Sequence, residues 1–229
     1  MLVFGIHPDD IEFCCGGTVA LAVLQGHAVV LADLSTGGAA SNGTIEERAR
    51  EAKIAAGILG VGERVNLGFA DTGIQSENLE QVRAVVSCIR RHRPELVLAP
   101  HRHDTHPDHI SGGILIERAI YLSGIHGFRT SEPQWAVPGA LLYMGRREFE
   151  PDLIVDITST YDIRLRSIQA HQSQIGGGER KSTPINSAEF LPMLEARASI
   201  FGFKIGVRYG EPFQSLRPWP VKSFEMFRR

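Results

Sequence analysis

The order of apolar runs along the 229-residue chain predicts an α/β fold, a mostly parallel sheet with helices on both faces. Three observations predict it. Short runs rich in Val, Leu, Ile and Ala alternate with longer stretches of helical period. Capping residues, Gly and Pro fall between these runs, where such a fold needs its turns. Two similar strings, His7-Pro8-Asp9-Asp10 and His106-Pro107-Asp108-His109, each follow a predicted strand, which puts both at the carboxyl ends of the strands of one sheet, where ligands bind in folds of this class.

The elements follow in order. Residues 2–6 form an apolar run that reads as a buried strand. Residues 11–25 read as a helix with Val19, Ala22 and Val23 on one side, closed by Gly26. Residues 28–34 are a second strand. The small residues of 35–43 can pack no core, and they permit close approach of backbone to a ligand. Thr44 and Glu47 have the spacing of a capping box at the head of a helix over 44–59, and Gly60 ends it. A short strand follows at 64–67. In the helix over 78–92, Leu79, Val82, Val85, Val86 and Ile89 mark one face, and Pro94 stops it. Then come a strand at 95–100, a helix over 110–123, strands at 140–144 and 153–157, and helices over 161–172 and 187–201. The Gly-rich stretch 176–184 has no preceding strand, so it reads as a linker or lid rather than a phosphate loop. This Rossmann-like order shows no internal repeat and no domain boundary. The chain reads as one domain over 1–229, with the part from about residue 160 onward expected to provide a substrate lid and oligomer contacts.

Composition narrows the function. With 43% hydrophobic and 22% charged residues, disorder is not expected. A net charge of -2 provides no basic footprint for nucleic acid or an anionic membrane, so the expected partner is a small molecule. No apolar run reaches the roughly 20 residues of a membrane span, and no signal-peptide pattern is present. Cys14, Cys15 and Cys88 are odd in number and two are adjacent, so they are expected as buried small hydrophobes in a reducing cytoplasm.

His101, His103, His106 and His109 fall within nine residues, with Asp104 and Asp108 among them. Neutral imidazole and carboxylate are natural zinc donors, and a catalytic zinc takes three protein ligands and keeps a position for water. His7 and Asp10, joined by a tight Pro8-Asp9 turn, are one pair of ligands, and His109 is the third. Pro107 suits the first position of a helix and Asp108 its first turn, so His106 lies at the helix entrance. His101 and His103 are expected beside the site or exposed, and His27, His92 and His126 structural or exposed. Iron(II) is the alternative metal, because affinity order does not fix occupancy.

The two motifs, with Gly16-Gly17-Thr18 and the stretch SNGTIEERAREA at 41–52, resemble the LmbE-like (PIG-L) family of zinc-dependent N-deacetylases over nearly the whole chain. HQSQ at 171–174, KSTPI at 181–185 and the stretch at 195–215 are similar to its bacillithiol-biosynthesis branch, which deacetylates N-acetylglucosaminyl malate. The resemblance implies zinc on His7, Asp10 and His109, Asp9 as general base, and His106 as oxyanion partner or proton donor with Asp108 as its carboxylate. It implies Arg48 near the substrate, and a homo-oligomer, with a hexamer as one form. Asn42, His171, Gln174 and Lys181 are further candidates for substrate contact. Thr105 stands where the branch often has arginine, which bears on how malate would be held. The chemistry agrees: a zinc-bound water has a pKa of about 7, Asp9 is next to a ligand, and a protonated His106 favoured by Asp108 would face the oxyanion. The readings set against it are hydrolysis of another small amide and zinc binding without catalysis.

Overall fold

The computed structural model describes residues 1–176 and 180–219. Its strands are β1 (Leu2–Gly5), β2 (Val30–Ser35), β3 (Glu63–Phe69), β4 (Leu96–Pro100), β5 (Gly139–Tyr143), β6 (Leu153–Asp156) and β7 (Gly210–Ser215), in one sheet ordered β3-β2-β1-β4-β5-β7-β6. The strands from β3 to β5 pair in parallel, while β7 pairs antiparallel with both β5 and β6. The order turns back between β1 and β4, and both metal motifs emerge there, at the crevice this fold class uses for ligands.

The helices are α1 (Asp10–Leu24), α2 (Ile45–Ile58), α3 (Leu79–His92), α4 (Pro107–Ser123), α5 (Tyr161–Gln169), α6 (Gln172–Ile175) and α7 (Phe190–Lys204). Alternation along β1 sends Leu2 and Phe4 to one face, where they pack with Val82, Val85, Val86 and Ile89 of α3 and Leu115 and Ile116 of α4. Val3 goes to the other face, against Ile11 and Val19 of α1 and Ala56 of α2. Both faces of the parallel part are thus covered, as its continuous apolar runs require. The Thr44 capping box is present, with Glu47 N donating to Thr44 Oγ1 at 3.2 Å and Thr44 N to Glu47 Oε2 at 2.8 Å. Cys14, Cys15 and Cys88 are free thiols, the last two buried.

Five elements differ from expectation. α4 begins at Pro107, as the chemistry of Pro107 and Asp108 suggests, rather than at residue 110 where the expected helix range begins, because His106 caps it and Pro107 needs no donor at that position. The expected helix over 161–172 is broken into α5 and α6, and α7 starts three residues late but runs on to Lys204. The strand β7 is absent from the sequence reading. Pro212 argues against an interior strand, yet it lies past the last β5 pair, Tyr143 with Phe213, and matches only Ile154 of β6. Finally, α1 is two helical pieces, broken at Cys15 (φ -145°) just before Gly16-Gly17. The Glu211 carboxylate of β7 accepts from Gly17 N (3.0 Å) and Thr18 N (2.7 Å), capping the second piece. Arg164 donates to Phe13 O at 2.6 Å and Arg197 to the same oxygen at 3.1 Å, taking up a carbonyl of the first piece. The part beyond residue 160 therefore supplies an interior strand and the caps of a broken helix. Residues 177–179 of the expected lid, and 220–229, lie outside the described residues.

Candidate metal centre

The first piece of α1 carries Asp10 in its opening turn, and β1 ends just before His7. Asp10 Oδ2 accepts from His7 N (2.8 Å) and Ile6 N (3.1 Å), so the carboxylate folds back over the end of β1. On the neighbouring strand end, α4 brings His109 inward. Three donor atoms then form a triangle: His7 Nδ1 is 3.5 Å from Asp10 Oδ2, His109 Nε2 is 3.3 Å from Asp10 Oδ2, and the two ring nitrogens are 3.3 Å apart. A tetrahedral ion with bonds of about 2.0–2.2 Å would separate its ligand atoms by about 3.3–3.6 Å. All three edges agree, and all three residues are buried. The donor set and its dimensions fit a divalent metal.

The far nitrogens of both rings meet carboxylates. His109 Nδ1 lies 3.4 Å from Asp104 Oδ2. His7 Nε2 lies 3.3 Å from Asp71 Oδ1 and 3.7 Å from Asp108 Oδ2, in ion-pair range but not aligned as a hydrogen bond. This is how carboxylates orient a metal-ligating imidazole and set its tautomer. Burial opposes charge on His7, but the nearby carboxylates of Asp10, Asp108 and Asp71 overcome it and push its pKa up to about 12 without metal. His109 follows the same balance, burial against Asp10 and Asp104, and rises to about 9. Asp71 falls to about 2, first through its contact with His7.

Asp9 is buried and its Oδ2 lies 3.1 Å from a terminal nitrogen of the equally buried Arg48. Arg48 also donates to Gly37 O at 2.9 Å. Gly37 has φ +69°, and a Cβ there would run into that guanidinium. Arg48 thus borders the cavity as expected, but its guanidinium is engaged by Asp9 and backbone rather than held free for substrate.

His106 sits over both ligand rings, with centroids 5.0 Å from His7 and 4.9 Å from His109. Its Nδ1 accepts from Asp108 N at 3.2 Å, as the cap of α4. That bond uses the Nδ1 lone pair and so favours the neutral tautomer with its proton on Nε2. Burial first, and then the neighbouring His109 and His7, lower its pKa. This corrects two expectations. The carboxylate of Asp108 is turned away to Thr72 N (2.7 Å) and His7, leaving only its backbone N–H for His106. The helix N-terminus then favours neutral imidazole over imidazolium.

The centre opens into a cavity of about 630 Å³, lined on the metal side by His7, Asp9, Asp10, His106 and His109. Gln174 borders it and donates to Asn42 O at 2.8 Å. Asn42 itself bridges to the backbone of Lys181, N–H and carbonyl both at 2.9 Å, so these two join loops rather than line the cavity. His171 is also corrected: it is fully buried, 3.4 Å from Glu12 Oε2 behind α1, where no substrate reaches. His101 contacts Gln214 at 2.9 Å and His103 is exposed near Arg147, so neither joins the ligands. The sequence reading missed Asp71 and assigned nothing to Asp104. Asp71 could have been found, because it follows β3 at the same sheet edge. Nothing local marks Asp104 apart from its neighbours.

Comparison with known proteins agrees with this geometry. Residues 2–120 match the family described as PIG-L, GlcNAc-PI de-N-acetylase. The diacetylchitobiose deacetylase of Thermococcus kodakarensis is 30% identical over 90% of this chain and 78% of its own. A probable N-acetyl-alpha-D-glucosaminyl L-malate deacetylase 2 of Bacillus cereus is 28% identical over 76% of this chain and 83% of its own. The crystal structure of the conserved protein TT1542 from Thermus thermophilus superposes with a TM-score of 0.89 at 33% identity, covering 98% of this chain and 97% of that one. With the centre between β1 and β4 in place, the chain belongs to the PIG-L (LmbE-like) family and is a hydrolase of its amide-cleaving deacetylase type.

Proposed function

We propose that this protein is a zinc-dependent hydrolase that removes the N-acetyl group from a GlcNAc conjugate. The observation that carries the reading is the three-donor triangle with Asp9 lining the same cavity and His106 packed against the two imidazoles. His7, Asp10 and His109 would hold the metal, which supplies a Lewis acid and a water acidified to a pKa of about 7. Asp9, oriented by Arg48, takes a proton as water oxygen bonds to the amide carbon. The neutral Nε2–H of His106 donates to the carbonyl oxygen as negative charge develops there. The C–N bond then breaks, and the proton held by Asp9 passes to the amine nitrogen. Acetate and the free amine are the products.

The malate conjugate expected from the sequence and the diacetylchitobiose of the Thermococcus relative share this acetamido sugar, so the chemistry is common to both. The test is acetate release from GlcNAc conjugates by protein loaded with zinc, with and without chelator, for the native chain and Asp9→Ala. Release that chelator stops and Asp9→Ala lacks supports the reading. Metal binding with no release from any conjugate would leave a zinc-binding protein instead.

A further inference from the structure

The metal side of the cavity is polar, and away from it the lining includes a group of apolar side chains, with Thr183, Ser187 and Glu189 among them. Phe13 lies one turn after Asp10 on the same piece of α1, so it flanks the centre. Phe190 of α7 packs edge-to-face on Phe13, with centroids 5.1 Å apart and an interplanar angle of 78°. Ile185, Met193 and Leu194 extend this apolar group. Phe13 and Leu194 are anchored in a small apolar cluster with Ile168, while Met193 is 47% exposed at the edge of the cavity.

The cations around the cavity are mostly engaged. Arg48 is paired with Asp9 and Gly37 O. Arg197 donates to Gly145 O (2.7 Å) and Phe13 O (3.1 Å). Among the described residues lining the cavity, Arg146 alone is a cation whose side chain makes no hydrogen bond or ion pair. A dicarboxylate aglycone calls for two cations or forked arginines. In a GlcNAc conjugate the anomeric carbon that bears the aglycone is the direct neighbour of the carbon that bears the acetamide. An acetamide at the metal therefore places the aglycone within the same cavity.

We infer that the wall formed by Phe13, Ile185, Phe190, Met193 and Leu194 is an aglycone subsite, and that it selects GlcNAc conjugates with an uncharged, apolar-faced aglycone over those bearing carboxylates. This rests on the deacetylase reading above. Removing apolar aglycone surface from water against this wall lowers KM, while a dicarboxylate finds only Arg146 free, so at least one of its carboxylates loses its hydration without a partner.

The experiment compares acetate release from the benzyl, methyl and malyl glycosides of GlcNAc, all of one anomeric configuration, by zinc-loaded native protein and Met193→Asp. Metal content and thermal midpoint establish that the variant is folded, and Phe190→Ala serves as a second variant. The expected result is a kcat/KM for the benzyl glycoside at least about tenfold above the methyl and malyl values, carried by KM. In Met193→Asp the benzyl value should fall to that of the methyl glycoside. A preference for the malyl glycoside overturns the subsite while leaving the deacetylase reading intact. Equal benzyl and methyl values overturn it too, and a change in particle mass for Met193→Asp in light scattering would then give the wall to a second copy of the chain. Absence of acetate from all three overturns the deacetylase reading, and the subsite with it.

Discussion

The two segments that carry the candidate ligands look alike as strings but are secured in different ways. The His7–Asp10 turn is held from a distance. Arg64 of β3 uses all its donors, on Asp33 (2.7 and 2.9 Å), Glu12 (2.6 Å), Ala52 O (3.1 Å) and Pro8 O (3.0 Å), so it fastens the carbonyl between the two ligands. Arg164 and Arg197 fasten Phe13 O one turn later, and Glu211 stands 3.2 Å from Arg164 Nε. The 101–109 segment is held mainly by one of its own side chains. The carboxylate of Asp104 accepts from Thr105 N (2.6 Å), His106 N (2.9 Å) and Arg146 N (2.9 Å), and faces His109 Nδ1. The first segment needs outside support because it is a helix broken after little more than one turn, whose loose backbone groups have to be satfisfied in a dry interior. The second opens an unbroken helix with its own cap.

The contrast can be broken hardest at the ligands. Asp10→Ala should abolish zinc binding and turnover together, read by metal analysis after dialysis, while His106→Ala should keep its zinc and lose about 10²–10³ in kcat. If His106→Ala emerged free of metal, the division between ligands and oxyanion donor would be wrong.

Next in size come the distant supports. Arg164 and Glu211 are both 2% exposed at their side chains, so Glu211→Gln leaves a buried cation without its partner. We expect a loss of about 3–5 kcal/mol in stability by denaturant unfolding. Because the same pair spans the break in α1, zinc affinity should drop as well. A stability loss with unchanged zinc affinity would show that the break is not tied to the ligand turn.

Asp104→Asn probes the internal support more gently. The amide oxygen can still accept from backbone, but the charge facing His109 is gone, so zinc affinity should weaken by about 10–100-fold with little change in unfolding midpoint. An unaltered affinity would remove Asp104 from the orienting role.

The smallest expected signal separates the two histidine ligands by their charge. With pKa values of about 12 for His7 and about 9 for His109, both are protonated in metal-free protein at neutral pH. Zinc must displace those protons, so its uptake in weakly buffered solution should release about two per site, and affinity should rise with pH. Uptake without acidification would contradict the raised values.

The sequence alone determined the parallel half of the sheet, because continuous apolar runs and helical periods are local signals that burial on both faces demands. It also picked out the three candidate ligands that the structure brings together, since His7, Asp10 and His109 lie close to strand ends that the alternation of elements places along one edge. Local chemistry was likewise sufficient for the Thr44 cap and for Pro107 at the head of α4. Only the tertiary structure decided the rest. The break in α1, the strand β7 around Pro212, the engagement of Arg48 by Asp9 and the turning of Asp108 from His106 to His7 all depend on groups far apart in the chain. A charged side chain inside a protein goes to whichever opposite charge or backbone group is left unsatisfied near it, and that choice is made in space, where spacing along the sequence carries no information about it.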